Sequence, residues 1–250
     1  MFNKGGEYVS SIYEGILNNQ LSYIVRKLTI RDLPEILNVQ DQVIDYLENK
    51  ERVQPLTEEE FRFILNGNGW MIGAFAEEQL VAFRALLVPL IDEEHLGRDI
   101  GLLDDELPKV IYQEISNVLP AFRGNQLQKI LARVIMQELS LENHSYRYVC
   151  CTVAPFNIPS LKDKFAQGMK IAALKEKYGG SLRYIFVKDL REIGEPEYKK
   201  TIYIPMKEIS AQHAKIAEGW HGIQMEERKG EWWVQYALST SGAWHRSWTK

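Results

Sequence analysis

The residues 119–128 read Leu119-Pro120-Ala121-Phe122-Arg123-Gly124-Asn125-Gln126-Leu127-Gln128, and they could bind an anion. An apolar strand-like run ends at Leu119-Pro120, a turn holds Gly124, and a helical pattern begins at Asn125. The first turn of a helix has backbone N–H groups with no internal acceptor and lies at the positive end of the helix dipole. Arg123 adds a full charge beside it, and a diphosphate would fit such a place. An ordinary strand–helix junction with a solvated arginine is the alternative. A second feature is Glu114, inside the apolar run that leads to this turn. A carboxylate there asks for an explanation. Alternation puts Glu114, Ser116 and Val118 on one strand face and Gln113, Ile115 and Asn117 on the other. An exposed or salt-bridged Glu is the competing account.

Elements must position these residues. Residues 8–21 carry Val9, Ile12, Ile16 and Leu17 near helical spacing and are expected to form a short leader helix. A strand is expected over 23–28. Thr29 with Asp32, and Thr57 with Glu60, have the capping-box spacing and open two helices. The runs 70–76 and 80–88, joined by Glu77-Glu78-Gln79, predict an antiparallel hairpin. The segment 89–107 is polar, acidic and long for a loop, which marks it as functional. Asp92, Glu93, Glu94 and His95 lie in it as a solvated charge run that could attract a cation. A strong helix follows over 125–141, then a strand over 146–153, a short helix over 157–167, and two strand-like runs over 171–177 and 182–187. Composition shifts near Gly194-Glu195-Pro196, after which a strand, a helix and a hairpin are expected. Five of the six tryptophans (220, 232, 233, 244 and 248) fall in that last part. The expected division is a leader over 1–22, a main domain over 23–193 and a small extension over 194–250.

The element order and three groups of residues resemble the GNAT acetyltransferase superfamily, over about 24–190. Pro120, Arg123 and Gly124 match the family's phosphate loop, whereas Gln126 and Gln128 stand where it has glycine and glycine or alanine. Asn157 and Ser160, closing in Gly168-Met169, are similar to the family's Asn-x-x-Ser helix. Glu114 stands where many members carry an acidic residue. The resemblance implies a mixed α/β fold: a mostly antiparallel sheet with a β-α-β-α-β core and helices on both faces. It implies transfer of an acetyl group from acetyl-CoA to a primary amine of a small molecule or peptide. By the same resemblance, Glu114 takes the ammonium proton, because only the neutral amine attacks a thioester. Val118 lies where two strands splay and a free N–H can bond the thioester carbonyl. Arg123, Gly124, Asn125, Gln126, Leu127 and Gln128 would cradle the diphosphate, and Asn157 and Ser160 would meet the pantetheine side. Asn157 is also a plain N-cap. The family's tyrosine seven residues after that Asn is Lys164 here, so Tyr178 and Tyr112 are the substitute acids, and a CoA thiol is a fair leaving group without one. Acceptor entry is expected between 89–107 and the hairpin over 170–190.

Other classes receive less support. Net charge is −4, against a nucleic-acid surface and against aminoacyl transfer from tRNA. No apolar run is long enough for a bilayer, and the start lacks the pattern of a signal peptide. The only cysteines, Cys150 and Cys151, are adjacent and read as buried thiols, which fits a reducing cytoplasm. The five histidines have no metal spacing, so no metal is expected. No Gly-x-Ser-x-Gly nucleophile motif is present. The tail is a candidate homodimer surface. The competing function is a non-catalytic GNAT-like module that binds an acyl-CoA or a protein, motivated by Gln126, Gln128 and Lys164.

Overall fold

The computed structural model describes residues 10–47, 54–192, 194 and 197–239. Val9, Glu195, Pro196, Trp244 and Trp248, singled out above, and one of the five histidines, His245, lie outside the described residues. The chain folds as two compact units: 1–88 with 113–144, and 89–112 with 145–250.

In the first unit the strands run in the order β1 (Tyr13–Ile16), β2 (Ser22–Lys27), β3 (Gly69–Ala76), β4 (Gln79–Leu87) and β5 (Val110–Val118). The first four pair antiparallel in succession. Helix α1 (Leu33–Asp45) follows a one-turn 3₁₀ segment whose start is fixed by Asp32, which accepts from the Thr29 N–H at 2.7 Å. Helix α2 (Glu58–Leu65) opens on the second capping box, with the Thr57 N–H on Glu60 at 2.7 Å and the Glu60 N–H on Thr57 at 3.2 Å. Adjacent residues of β4 show where the helices lie. Phe83 meets Phe61 of α2 edge-on at 5.8 Å, while Arg84 donates to the Gln128 carbonyl of α4 (Leu127–Leu141) at 3.4 Å. Neighbours in a strand point to opposite faces, so α2 and α4 cover opposite sides of the sheet.

The expected leader helix is a strand in its described part. Residues 13–16 pair with β2 from Tyr13↔Val25 to Ile16↔Ser22. The cause is tertiary: the Tyr23 ring lies against Gly15, where a Cβ would come within 2.5 Å of its hydroxyl. Ile16, assigned to a helix face, is instead 69% exposed.

In the second unit the order is β5, β6 (Tyr148–Val153), β8 (Ser181–Asp189), β7 (Lys170–Lys177), β10 (His221–Arg228), β11 (Glu231–Ser239) and β9 (Tyr198–Pro205). Among the described residues β5 and β6 pair parallel and the other pairs of this unit antiparallel, so the fold is mixed α/β and mostly antiparallel. Helix α5 (Ile158–Ala166) sets Phe165 edge-on against Phe186 at 5.1 Å. Helix α6 (Ile209–Ala217) lies on the same face through Gln212. That side chain is fully buried: its Oε1 accepts from the Tyr184 and Tyr236 hydroxyls at 2.7 and 2.9 Å, and its Nε2 donates to the Met206 carbonyl at 2.8 Å. A buried carboxamide is tolerated when its bonds are made in this way. Strand β10 meets β7 at Gly222↔Ile171, where a Cβ on Gly222 would fall 2.9 Å from the Ile171 side chain.

The opposite face is filled by 89–107, an irregular segment apart from one short helix. It holds α3 (Leu96–Asp99), whose Leu96 joins Ile100, Cys150, Ile185 and Val187 in one apolar cluster. His95 is buried rather than solvated. Cys150 and Cys151 are free, buried thiols.

Candidate active site

Strand β5 presents the alternation that its sequence predicts. Tyr112, Glu114, Ser116 and Val118 are partly open, and Gln113, Ile115 and Asn117 are buried. Pairing with β6 covers Val110↔Tyr148 to Tyr112↔Cys150. The end of β5 is tied to β4 by the Leu119 N–H on the Val81 carbonyl at 2.9 Å. Burial, with a smaller effect from the negative charge of Glu60, pushes the Glu114 carboxyl up to about 7. Among the described residues no hydrogen-bond donor holds this carboxylate in its charged form.

The turn after β5 begins with a 3₁₀ segment, Pro120–Phe122, and reaches α4 through two left-handed residues, Gly124 at φ 85° and Gln126 at φ 58°. Gln126 therefore keeps the backbone shape that glycine adopts freely, at a conformational cost of about 1 kcal/mol. The helix starts at Leu127, and the Ile130 N–H is the first to return to Gln126, at 3.0 Å. The first-turn N–H groups are thus open to an external acceptor. Arg123 stacks its guanidinium over the Tyr46 ring at 4.7 Å. The Asn125 side chain is committed elsewhere: it accepts from the Asn18 N–H at 2.8 Å and donates to the Phe122 carbonyl at 3.0 Å. Only its backbone is left for a phosphate. On the buried face, Arg84 donates to Gln113 at 2.6 Å, beneath the start of α4.

In the second unit Asn157 caps α5, accepting from the Ser160 N–H at 3.4 Å. Phe156, just before it, has φ 64° and is half exposed, a strained place for a bulky residue. Lys164 is mostly buried and pairs with Asp163 at 3.4 Å. Tyr178 stands on the β7–β8 turn, half exposed, with its hydroxyl 3.1 Å from Thr152 Oγ1. Thr152 is the one residue of β6 that is not buried, so this contact marks an open point on that strand. Ion pairs join the two segments between which acceptor entry is expected: Lys177 pairs with Glu94 at 2.6 Å and Asp99 at 3.0 Å, and Lys175 with Asp99 at 2.9 Å. Burial would lower the Lys177 ammonium, but the two carboxylates outweigh it and hold it above its usual range. Burial depresses His95, whose Nδ1 accepts from the Gly97 N–H at 3.1 Å, so the ring is neutral at pH 7.

Sequence reasoning missed Asn18, Glu60, Arg84 and Thr152. Arg84 left a signal, a lone charge inside the apolar run 80–88. Asn18 left none, because its partner is 107 residues away.

The fold has solved relatives. The GNAT domain of S. lividans PAT matches with a TM-score of 0.50 at 17% identity, over 74% of this chain and 100% of that one. Arabidopsis thaliana NAA60 in complex with a bisubstrate analogue matches with a TM-score of 0.53 at 16% identity, over 68% and 99%. This chain has the GNAT fold. The same NAA60 solved with acetyl-CoA matches with a TM-score of 0.51 at 16% identity, again over 68% and 99%. No protein-family model and no curated protein matches the sequence. Within this fold, β5 and the turn over 119–128 form the candidate site, and Gln126 is left-handed there.

Proposed function

We propose that the protein transfers an acetyl group from acetyl-CoA to a primary amine of a small molecule or a peptide. The observation that carries this reading is a single strand–turn–helix. It holds a carboxylate lifted to about 7, and a few residues later the open N–H groups of α4 behind a left-handed Gln126. The turn and Arg123 would hold the diphosphate. Glu114 would take one proton from the acceptor ammonium. The free amine then attacks the thioester carbonyl carbon; the C–N bond forms, the oxyanion collapses and the C–S bond breaks. The thiolate leaves and gains a proton, from Tyr178 or from water. A base that titrates near 7 suits this step, being about half ionised at neutral pH and a better proton acceptor than an ordinary carboxylate.

The competing reading, a non-catalytic binding module, loses one motive, because Gln126 takes the conformation of the glycine it replaces. It keeps another in Lys164, which stands where the family's tyrosine would be. Calorimetry with CoA and a time course of thiol release over an amine panel decide between them. Binding with turnover supports the transferase, binding without turnover the module, and no binding ends both cofactor readings.

A further inference from the structure

We propose that the N-terminal hairpin is a brace for the phosphate turn, with Asn18 as its positioning residue. The inference deepens the cofactor reading above and rests on it for the effect on CoA. Strands β1 and β2 are joined by a turn closed by the Leu17 N–H on Leu21 at 2.8 Å and the Gln20 N–H on Leu17 at 2.9 Å. At its tip, the Asn18 N–H donates to Asn125 Oδ1 at 2.8 Å, and Asn18 Nδ2 reaches the Gly124 carbonyl at 3.4 Å. One residue of the hairpin therefore holds two consecutive residues of the turn. The Asn125 carboxamide passes the restraint on, since its Nδ2 donates to Phe122 at 3.0 Å. The turn is gripped on both sides of Gly124.

The hairpin itself is anchored. Leu17 is buried, Tyr23 packs on Gly15, and Arg133 of α4 lies over the Tyr13 ring at 5.4 Å. It thus contacts the turn before α4 and a residue in the second turn of α4. A brace is needed here because Gln126, not glycine, occupies the left-handed position. A non-glycine residue drifts from that region unless its surroundings over-determine it. Asn18 supplies the determination from outside the turn, through Asn125 and Gly124.

The test uses the full chain. Asn18→Ala removes the side-chain bond, and Asn125→Ala removes the acceptor of the Asn18 N–H. In the free protein, hydrogen exchange at the amides of 124–128 should quicken roughly fivefold in Asn18→Ala and tenfold in Asn125→Ala, with β3 and β4 unchanged. CoA binding should weaken about threefold and tenfold in the same order, and the double variant should fall short of the product. Acetyl-pantetheine, which lacks the diphosphate, should keep its KM in both. In a Gln126→Gly background the two changes should cost less than about twofold, because glycine enters the left-handed region without the strain that the brace offsets. Unchanged exchange at 124–128, or an equal loss with acetyl-pantetheine, or a full loss in the glycine background, would overturn the brace. If the unaltered protein binds no CoA but exchange responds as stated, the cofactor reading fails and the brace stands.

Discussion

Asp32 and Glu114 are two carboxylates of the same unit, both largely withdrawn from water, and they are held in opposite states. Burial alone would raise Asp32. The Arg26 guanidinium, bonded to both its oxygens at 2.6 and 3.0 Å, and the Thr29 N–H at 2.7 Å outweigh burial and hold Asp32 below its usual range. Among the described residues Glu114 has no such donors, and burial with the like charge of Glu60 raises it to about 7. The first group is spent on fixing the entry to α1. The second can exchange a proton at neutral pH, which makes it available for chemistry. Among buried carboxylates, the donors around each one separate architecture from reactivity more sharply than burial does.

The largest effect expected from this contrast is on turnover. Glu114→Gln should lower kcat by about 10²–10⁴ with CoA affinity unchanged, read as thiol release beside calorimetry. If Glu114 is the base, kcat/KM of the unaltered protein should rise with pH toward a plateau above about 7, because a base acts ionised. Stability runs the other way. The folded state retains the Glu114 proton between its ordinary 4.5 and about 7, so stability falls as pH rises through that window. Glu114→Gln should remove this fall, which pH-dependent urea melts would reveal. Activity within threefold of the parent would return Glu114 to a structural role.

The contrast can also be broken by taking a partner away. Lys177→Met leaves Asp99 with Lys175 alone and should cost about 3 kcal/mol in denaturant unfolding, as for a broken buried pair. A loss under 0.5 kcal/mol, about the size expected of a surface pair, would mean that this pair is effectively solvated. Asp32→Asn should cost about 1–2 kcal/mol at pH 7. Its lowered carboxyl adds stability above the ordinary value of 3.8, lost as pH falls through the folded value, so the variant should match its parent in strong acid. The smallest change is assigned to Tyr178→Phe: a tenfold drop in kcat or less, since a CoA thiol leaves without a dedicated acid. A larger drop would promote Tyr178 above that secondary place.

Local signals in the sequence located most elements. Thr29–Asp32 and Thr57–Glu60 cap where their spacing says, because capping is settled within four residues. The alternation around Glu114 correctly separates the open face of β5 from the buried one. Errors arise where distant partners decide. Residues 13–16 are a strand because β2 and the Tyr23 ring receive them. His95 is buried because α3 carries it onto the sheet, although its neighbours Asp92, Glu93 and Glu94 are exposed as expected. At the candidate site, the sequence names the turn and Glu114. It cannot show that Asn125 faces Asn18, or that Gln126 is left-handed, since both depend on residues far along the chain.

The junction at Gly222↔Ile171 has a consequence for how the molecule ends. Without the last strands, β7 would close the sheet with an open ladder beside Ile171, a template for association with other chains. The extension moves that border outward to β9. There the outermost strand offers exposed Lys199, Lys200 and Thr201 and finishes at Pro205, which has no N–H to give. Charges and a proline at a border discourage further strands from adding. Among the described residues, β9 is thus a border poorly suited to pairing with another chain.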